Sequence, residues 1–394
     1  MKKKILIVMK RPAGGVGKSC ISLLSQLDYN KYDVDLQLFR HEGIFLDMIP
    51  KNVNILESPQ ILQDFWRSGS DFIQQFLKKG QFGHIGRKVM ASIESKLYRD
   101  RYHSALWENF KQYIPNINKH YDVAIGYMDT YPNYFVADKV SADIKIGWNH
   151  NDFRMLNLDK EYEKEVFSKF KYVITVSETC KQVLVDLFPD FSEKFKVIYN
   201  IVSPEQIWHM ANKEEGFEDK DFDGIRIVSV GSLTHQKGFD MAIPAFSRLL
   251  EKGHNVKWYV IGEGALRKEL EKLIKEYDVE GKFILLGERV NPYPYIKNAD
   301  IYAQPSRFEG KSIAVDEAKI LCKPILLTDY TTAENQIKNG VNGIIVPKNI
   351  EGIYEGLELL IKDSMLRKRF SENLQKENLG NESEVEKLYK LIEE

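Results

Sequence analysis

The chain has 394 residues, 43% hydrophobic and 29% charged, with a formal net charge of -1. That length exceeds what one hydrophobic core supports and predicts two domains of roughly 200 residues; the balanced charge excludes a global pull toward nucleic acid, so any anion site must be local. Cys20, Cys180 and Cys322 are odd in number and far apart, which excludes a zinc or redox motif and reads as reduced thiols of a cytoplasmic protein.

At the start, Lys2-Lys3-Lys4 before the apolar run Ile5 to Met9 imitates a signal peptide, but Lys10-Arg11 follows at once and the run reads as a first buried strand. No apolar stretch reaches the roughly 18 residues a membrane span needs. Next comes Gly14-Gly15-Val16-Gly17-Lys18-Ser19, which invites a phosphate-loop reading. The Walker pattern needs a glycine where Pro12 stands, so a P-loop ATPase or partner protein is only an alternative.

Short β-branched runs then alternate with amphipathic stretches, the pattern of parallel strands joined by covering helices. Residues 1–200 offer Ile5 to Met9, Tyr32 to Phe39, Val53 to Leu56, Val123 to Tyr127, Ile144 to Trp148, Tyr172 to Val176 and Lys196 to Tyr199. A helical insertion is predicted at about 60–113. Its part from Lys78 to Lys111 interleaves basic residues with Phe76, Phe82, Tyr98, Tyr102, Trp107 and Phe110, which suits either an anionic membrane surface or a helical pair packed on the domain. Residues 201–223 are too polar for core and read as a linker.

The alternation restarts at 224–394 with Ile225 to Val230, Val256 to Ile261, Phe283 to Leu286, Ile301 to Ala303, Ile325 to Thr328 and Ile344 to Val346, and the last helices can return to the N-terminal domain. The fold class is therefore α/β, with two Rossmann-like doubly wound domains. Such sheets bind ligands outside the carboxyl ends of their strands, so two facing domains predict an interdomain cleft.

Chemistry concentrates between the strands ending near Gln304 and starting at Pro324. If Gly310 opens a helix, its free N–H groups make an anion site suited to a diphosphate, and Glu317 lies about 12 Å along the helix from Glu309. Each carboxylate could then address one end of a nucleotide sugar.

The run Glu309 to Ala318, with Lys323-Pro324, Thr328-Asp329 and Asn339 to Gly343, resembles the donor-binding signature of retaining glycosyltransferase family 4. Val230 to Asp240 resembles that family's first C-terminal strand and phosphate loop, and Asn291 to Tyr295 a stretch of capsule and exopolysaccharide enzymes. The resemblance covers nearly the whole chain. It implies a GT-B fold and a sugar moved from a nucleotide diphosphate donor, a UDP-sugar, to a saccharide or lipid-linked saccharide acceptor in bacterial cell-surface polysaccharide synthesis. It further implies retention of anomeric configuration, no cofactor, no metal and no nucleic-acid partner. A sugar-nucleotide epimerase of the same fold is the enzymatic alternative.

The resemblance implies Glu309, His150 and Lys237 as catalytic residues. Lys237 would contact the diphosphate with the phosphate loop at Gly231 and Ser232 and with Gly310, Lys311 and Ser312. Glu309 would orient the sugar and Glu317 the ribose. Gly262 and Gly264 form a turn beside the donor, Arg289 and Val290 lie in the loop meeting the base, and Gly14, Gly15 and Lys18 line the acceptor side of the cleft. Ser232 stands where the family usually has an arginine, so a cation is missing unless Lys311 or Lys18 replaces it. The protein is expected in the cytoplasm, with peripheral attachment to the inner face of the membrane as one role for the basic segment.

Overall fold

A computed structural model describes residues 2–65 and 101–393. Two compact units divide the chain: residues 1–200 together with 383–394, and residues 201–382. Each is built on a parallel sheet.

The N-terminal sheet has the strand order β3-β2-β1-β4-β5-β6-β7, with β1 Lys3–Met9, β2 Tyr32–Leu38, β3 Asn54–Leu56, β4 His120–Gly126, β5 Ser141–Asn149, β6 Tyr172–Thr175 and β7 Phe195–Val197. All its ladders are parallel. Ile5 to Met9 are fully buried, as a central strand covered on both faces by helices requires. The final helix, Val385–Glu393, belongs to this unit: Tyr389 stacks on Tyr32 at 5.2 Å, its hydroxyl donates to the Gln26 carbonyl, and Lys3 Nζ donates to the carbonyl of Ile392.

The second sheet has the order β10-β9-β8-β11-β12-β13, with β8 Ile225–Val230, β9 Val256–Ile261, β10 Phe283–Gly287, β11 Ile301–Gln304, β12 Ile325–Thr328 and β13 Gly343–Val346. Two apolar clusters form its core, one gathering Phe246, Trp258 and Leu357, the other Tyr259, Tyr302 and Leu327.

Residues 201–223 are not the free linker that their polarity predicts. The helix Pro204–Ala211 buries Ile207 and Ala211 in the C-terminal core, Phe217 lies 4.4 Å from the Tyr259 ring, and Asp219 accepts hydrogen bonds from Lys257 Nζ and the Tyr259 hydroxyl. A few apolar residues at helical spacing suffice to dock a segment whose polar residues face out.

Of the expected insertion, the helices Gln60–Phe65 and Tyr102–Phe110 are described, and residues 66–100 lie outside the described residues. In the described part the aromatic residues serve the core: Trp107 and Phe110 are fully buried, and Trp107 Nε1 donates to Asp138. Lys111 pairs with Glu108 and Asp138. No helix among the described residues is long and apolar enough to cross a membrane.

Candidate active site

Strand order locates the sites. In a doubly wound sheet the crevice opens where the order reverses, beyond the carboxyl ends of the two strands flanking that point. The C-terminal sheet reverses between β8 and β11, so the loop after Val230 meets the loop after Gln304.

The first of these loops is shaped by backbone contact. Gly238 adopts φ +69°, and a Cβ there would lie 2.0 Å from the Pro305 carbonyl oxygen, so only glycine fits. It is also the N-cap of the helix Phe239–Glu251, which places Lys237 just before the helix start. Gly262 and Gly264 have a similar cause. A Cβ at Gly262 would meet the Gly231 carbonyl at 2.0 Å and one at Gly264 the Leu233 carbonyl at 2.4 Å, while Leu233 N donates to the Glu263 carbonyl and Gly262 N to the Gly287 carbonyl. Their glycines let neighbouring loops touch.

Lys237 Nζ donates to Glu309 Oε1 at 2.5 Å, and both side chains are largely buried. The same oxygen accepts from Ser306 Oγ at 2.6 Å and from Gln304 Nε2 at 3.4 Å. Arg307 makes a two-pronged bond to Asp240 at 2.7 Å on each arm and donates to the His235 carbonyl, locking the two loops together. Burial works to raise the Asp240 pKa, but the Arg307 bonds prevail and hold it below the usual carboxylate range.

The helix after Glu309 opens later than expected. Its N-cap is Ser312 and it runs Ile313–Ile320; Gly310 and Lys311 lie in the approach. Side chains brace this approach: Gln336 accepts from Ser312 N and donates to the Ser312 carbonyl, and Thr332 Oγ1 donates to the Glu309 carbonyl. The helical rise therefore does not apply from Glu309 to Glu317. Glu317 is 2% exposed and accepts from the Tyr293 hydroxyl at 3.1 Å.

Lys311 pairs with Asp316 at 3.0 Å. Ser232 is exposed, with its hydroxyl 3.3 Å from that of Thr234. Arg289 donates to the Glu288 carbonyl and the Tyr295 hydroxyl, and Val290 is exposed.

Residues 212–377 match the family model of the group 1 glycosyl transferases. The C-terminal unit belongs to that family. A glycosyltransferase of Methanocaldococcus jannaschii, itself uncharacterized, is 26% identical over 293 residues, covering 64% of this chain and 71% of the relative. The N-acetylgalactosamine-N,N'-diacetylbacillosaminyl-diphospho-undecaprenol 4-alpha-N-acetylgalactosaminyltransferase of Campylobacter jejuni is 32% identical over 192 residues, 48% of this chain and half of that one. Among solved structures, the Anabaena protein Alr3699/HepE in complex with UDP and glucose superposes with a TM-score of 0.69 over 99% of both chains at 16% identity, which shows a shared GT-B fold. In the glycosyltransferase domain the meeting of Lys237 and Glu309 thus falls inside the matched region. Ser306, Gln304 and Gln236 converge on that carboxylate as well, and sequence reasoning did not select them: a serine or glutamine at a strand end or in a turn carries no signal of its own until its partner is known.

The N-terminal sheet reverses between β1 and β4. Lys10 follows β1, with Nζ 5.1 Å from the Tyr131 ring, and burial lowers its pKa to about 8 against the pull of Asp129. Asp129, after β4, accepts from His150 N at 3.1 Å and from Asn151 Nδ2 at 2.9 Å; burial still pushes it up to about 6. Thr130 beside it holds φ +70°, a strained value for a β-branched residue.

His150 is 6% exposed, its ring parallel to Trp148 and 4.9 Å from Tyr127. Burial drives its pKa down to about 3, and among the described residues its Nε2 meets no hydrogen-bond partner. The helix Gly14–Gln26 starts at Gly14, which has φ +63°, and open space surrounds Gly14 and Gly15. Gly17 is the tight position instead, since a Cβ there would meet Pro12 at 2.8 Å. Gly15 to Ser19 are thus helical and not a phosphate-wrapping loop. The Ser19 hydroxyl is buried between Tyr127 and Asn200, donating to Asn200 Oδ1 at 2.6 Å, which removes it from any metal-binding role of the Walker kind.

Proposed function

We propose that the protein transfers a sugar from a nucleotide diphosphate donor, a UDP-sugar, to a saccharide or lipid-linked saccharide acceptor in bacterial cell-surface polysaccharide synthesis. The carrying observation is the contact of Lys237 with Glu309 at the reversal point of a group 1 glycosyltransferase domain. A cation placed before a helix N-terminus favours charge developing on a departing diphosphate, and a carboxylate beside it can accept sugar hydroxyls. UDP in the HepE complex and diphospho-undecaprenol in the Campylobacter enzyme's name support the donor and acceptor classes.

In this reading Lys237 holds the leaving diphosphate with Gly231, Ser232, Gly310, Lys311 and Ser312, while Glu309 orients the sugar. Glu317 serves the ribose and Arg289 and Val290 the base. His150, neutral through burial, offers a hydrogen bond to a sugar hydroxyl. Gly14, Gly15 and Lys18 serve the acceptor. Transfer proceeds with retention, by same-face attack in which the leaving phosphate oxygen takes the acceptor proton, and needs no divalent ion. The basic residues of the segment from Lys78 to Lys111 attach the enzyme to the inner face of the membrane.

The test is mass spectrometry of products from a panel of nucleotide sugars with lipid-linked saccharides, NMR of the product anomer, and a parallel assay in chelator. Isomerised donor without transfer would replace this reading with epimerisation, an inverted product would remove same-face attack, and a strict metal requirement would remove the metal-free step. Flotation with anionic vesicles that weakens in salt tests the membrane contact.

A further inference from the structure

The carboxylate of Glu309 is held unevenly. Oε1 takes three donors, Lys237 Nζ at 2.5 Å, Ser306 Oγ at 2.6 Å and Gln304 Nε2 at 3.4 Å, whereas Oε2 has Gln236 Nε2 at 3.4 Å. Behind Ser306 the donors run in one direction. The Tyr302 hydroxyl donates to Gln304 Oε1 at 2.7 Å, Gln304 Nε2 to Ser306 Oγ at 2.8 Å, and the Ser306 hydroxyl to Glu309. Tyr302, Gln304 and Ser306 are all fully buried.

We infer that Gln304 and Ser306 are positioning residues that anchor Glu309 through Oε1 and reserve Oε2 for a hydroxyl of the donor sugar. This rests on the donor-site reading above. On that reading Lys237 must turn from Glu309 to the diphosphate when donor binds, and the carboxylate loses its cation at the moment its position matters. A neutral hydroxyl fed by a buried amide keeps the anchor without competing for the phosphate. Donors aligned in series polarise one another, which strengthens the last bond in the chain. The backbone is fixed in support, since Thr328 Oγ1 donates to the Ser306 carbonyl and Arg307 N to the Gln236 carbonyl at 2.7 Å.

The test uses the full-length enzyme with its accepted nucleotide sugar and, separately, UDP alone. Ser306→Ala should lower kcat about tenfold, the loss typical of removing an outer partner of a functional ligand, while KM for donor and Kd for UDP stay within about twofold. Ser306→Thr, which keeps the hydroxyl, should recover most of the loss. In a Glu309→Gln background Ser306→Ala should add little, because both changes act through one carboxylate. If Ser306→Ala does not fold, Tyr302→Phe carries the same test with the same split of kcat from KM. A full additional loss in the Glu309→Gln background, or a fall in UDP affinity matching the fall in kcat, overturns the inference. Wild-type protein that binds no UDP and turns over no nucleotide sugar overturns the donor-site reading itself.

Discussion

The crevices where the two sheets reverse differ in how their charged groups are held. Beyond β8 and β11, charged groups are matched with one another: Lys237 with Glu309, Arg307 with Asp240, Lys311 with Asp316. Beyond β1, β4 and β5 burial dominates, lowering His150 to about 3 and Lys10 to about 8 and raising Asp129 to about 6, so near neutral pH the imidazole is uncharged while Lys10 and Asp129 keep their charges. His103, bonded to the Tyr131 hydroxyl, falls to about 4, from burial and then from Lys10. Positioned charges stabilise an ionic ligand, whereas a neutral buried imidazole recognises a hydroxyl by hydrogen-bond geometry.

Removing the cation should separate the two ends most sharply. Lys237→Ala strips the diphosphate of its positioned charge and leaves a buried carboxylate short of a partner, so turnover should fall about 10²–10³-fold, with weaker UDP binding by calorimetry. A loss under threefold would mean that the charged end is structural. Within that end, Glu309→Ala should act on kcat and Glu317→Ala on donor binding, as expected of one group beside the breaking bond and one remote from it. Because Glu317 is buried against Tyr293, Glu317→Ala should also lower the melting temperature; equal, small kinetic effects of both changes would break the assignment.

Ser232 is the weak point of the charged end. Lys311 is already engaged by Asp316, so Ser232→Arg should add a missing cation and raise turnover about threefold to tenfold, a fraction of what a fully positioned donor contributes. Lys311→Ala should cost less than Lys237→Ala, and coupling between Lys311→Ala and Ser232→Arg reports whether they share a role. A severe Lys311→Ala rescued by Ser232→Arg would instead assign Lys311 to the phosphate.

The last expected effect is on stability and not on turnover, and it lies at His150. His150 has a folded pKa near 3, below the ordinary value of 6.5, so the unfolded chain binds its proton first and stability falls as pH drops below about 6.5 toward 3. His150→Phe, which keeps a ring against Trp148 and Tyr127, should flatten that part of the melting temperature against pH. Asp129, raised to about 6, acts with the opposite sign between its unfolded value of 3.8 and 6, so the comparison is between variant and wild type at each pH. Parallel curves would show that His150 does not remain neutral in the folded protein.

Sequence alone determined the strands, since β-branched runs bounded by glycine and polar clusters repeat with little ambiguity, and each expected strand has its counterpart among β1 to β13. It also singled out Lys237 and Glu309, which the fold brings into contact after strands β8 and β11. Other outcomes needed the third dimension. The helix starts at Ile313 and not at Gly310, and its N-cap Ser312 is braced by Gln336, distant in sequence, through both backbone groups. Residues 201–223 dock on the C-terminal core because Ile207 and Phe217 find partners on another strand and helix. The glycines at 238, 262 and 264 proved necessary through backbones that approach from elsewhere, and Ser306 gained its place only when Glu309 folded over it. Local pattern sets what each segment can form; which carbonyl, amide or carboxylate stands opposite depends on chain crossings that no window of sequence contains.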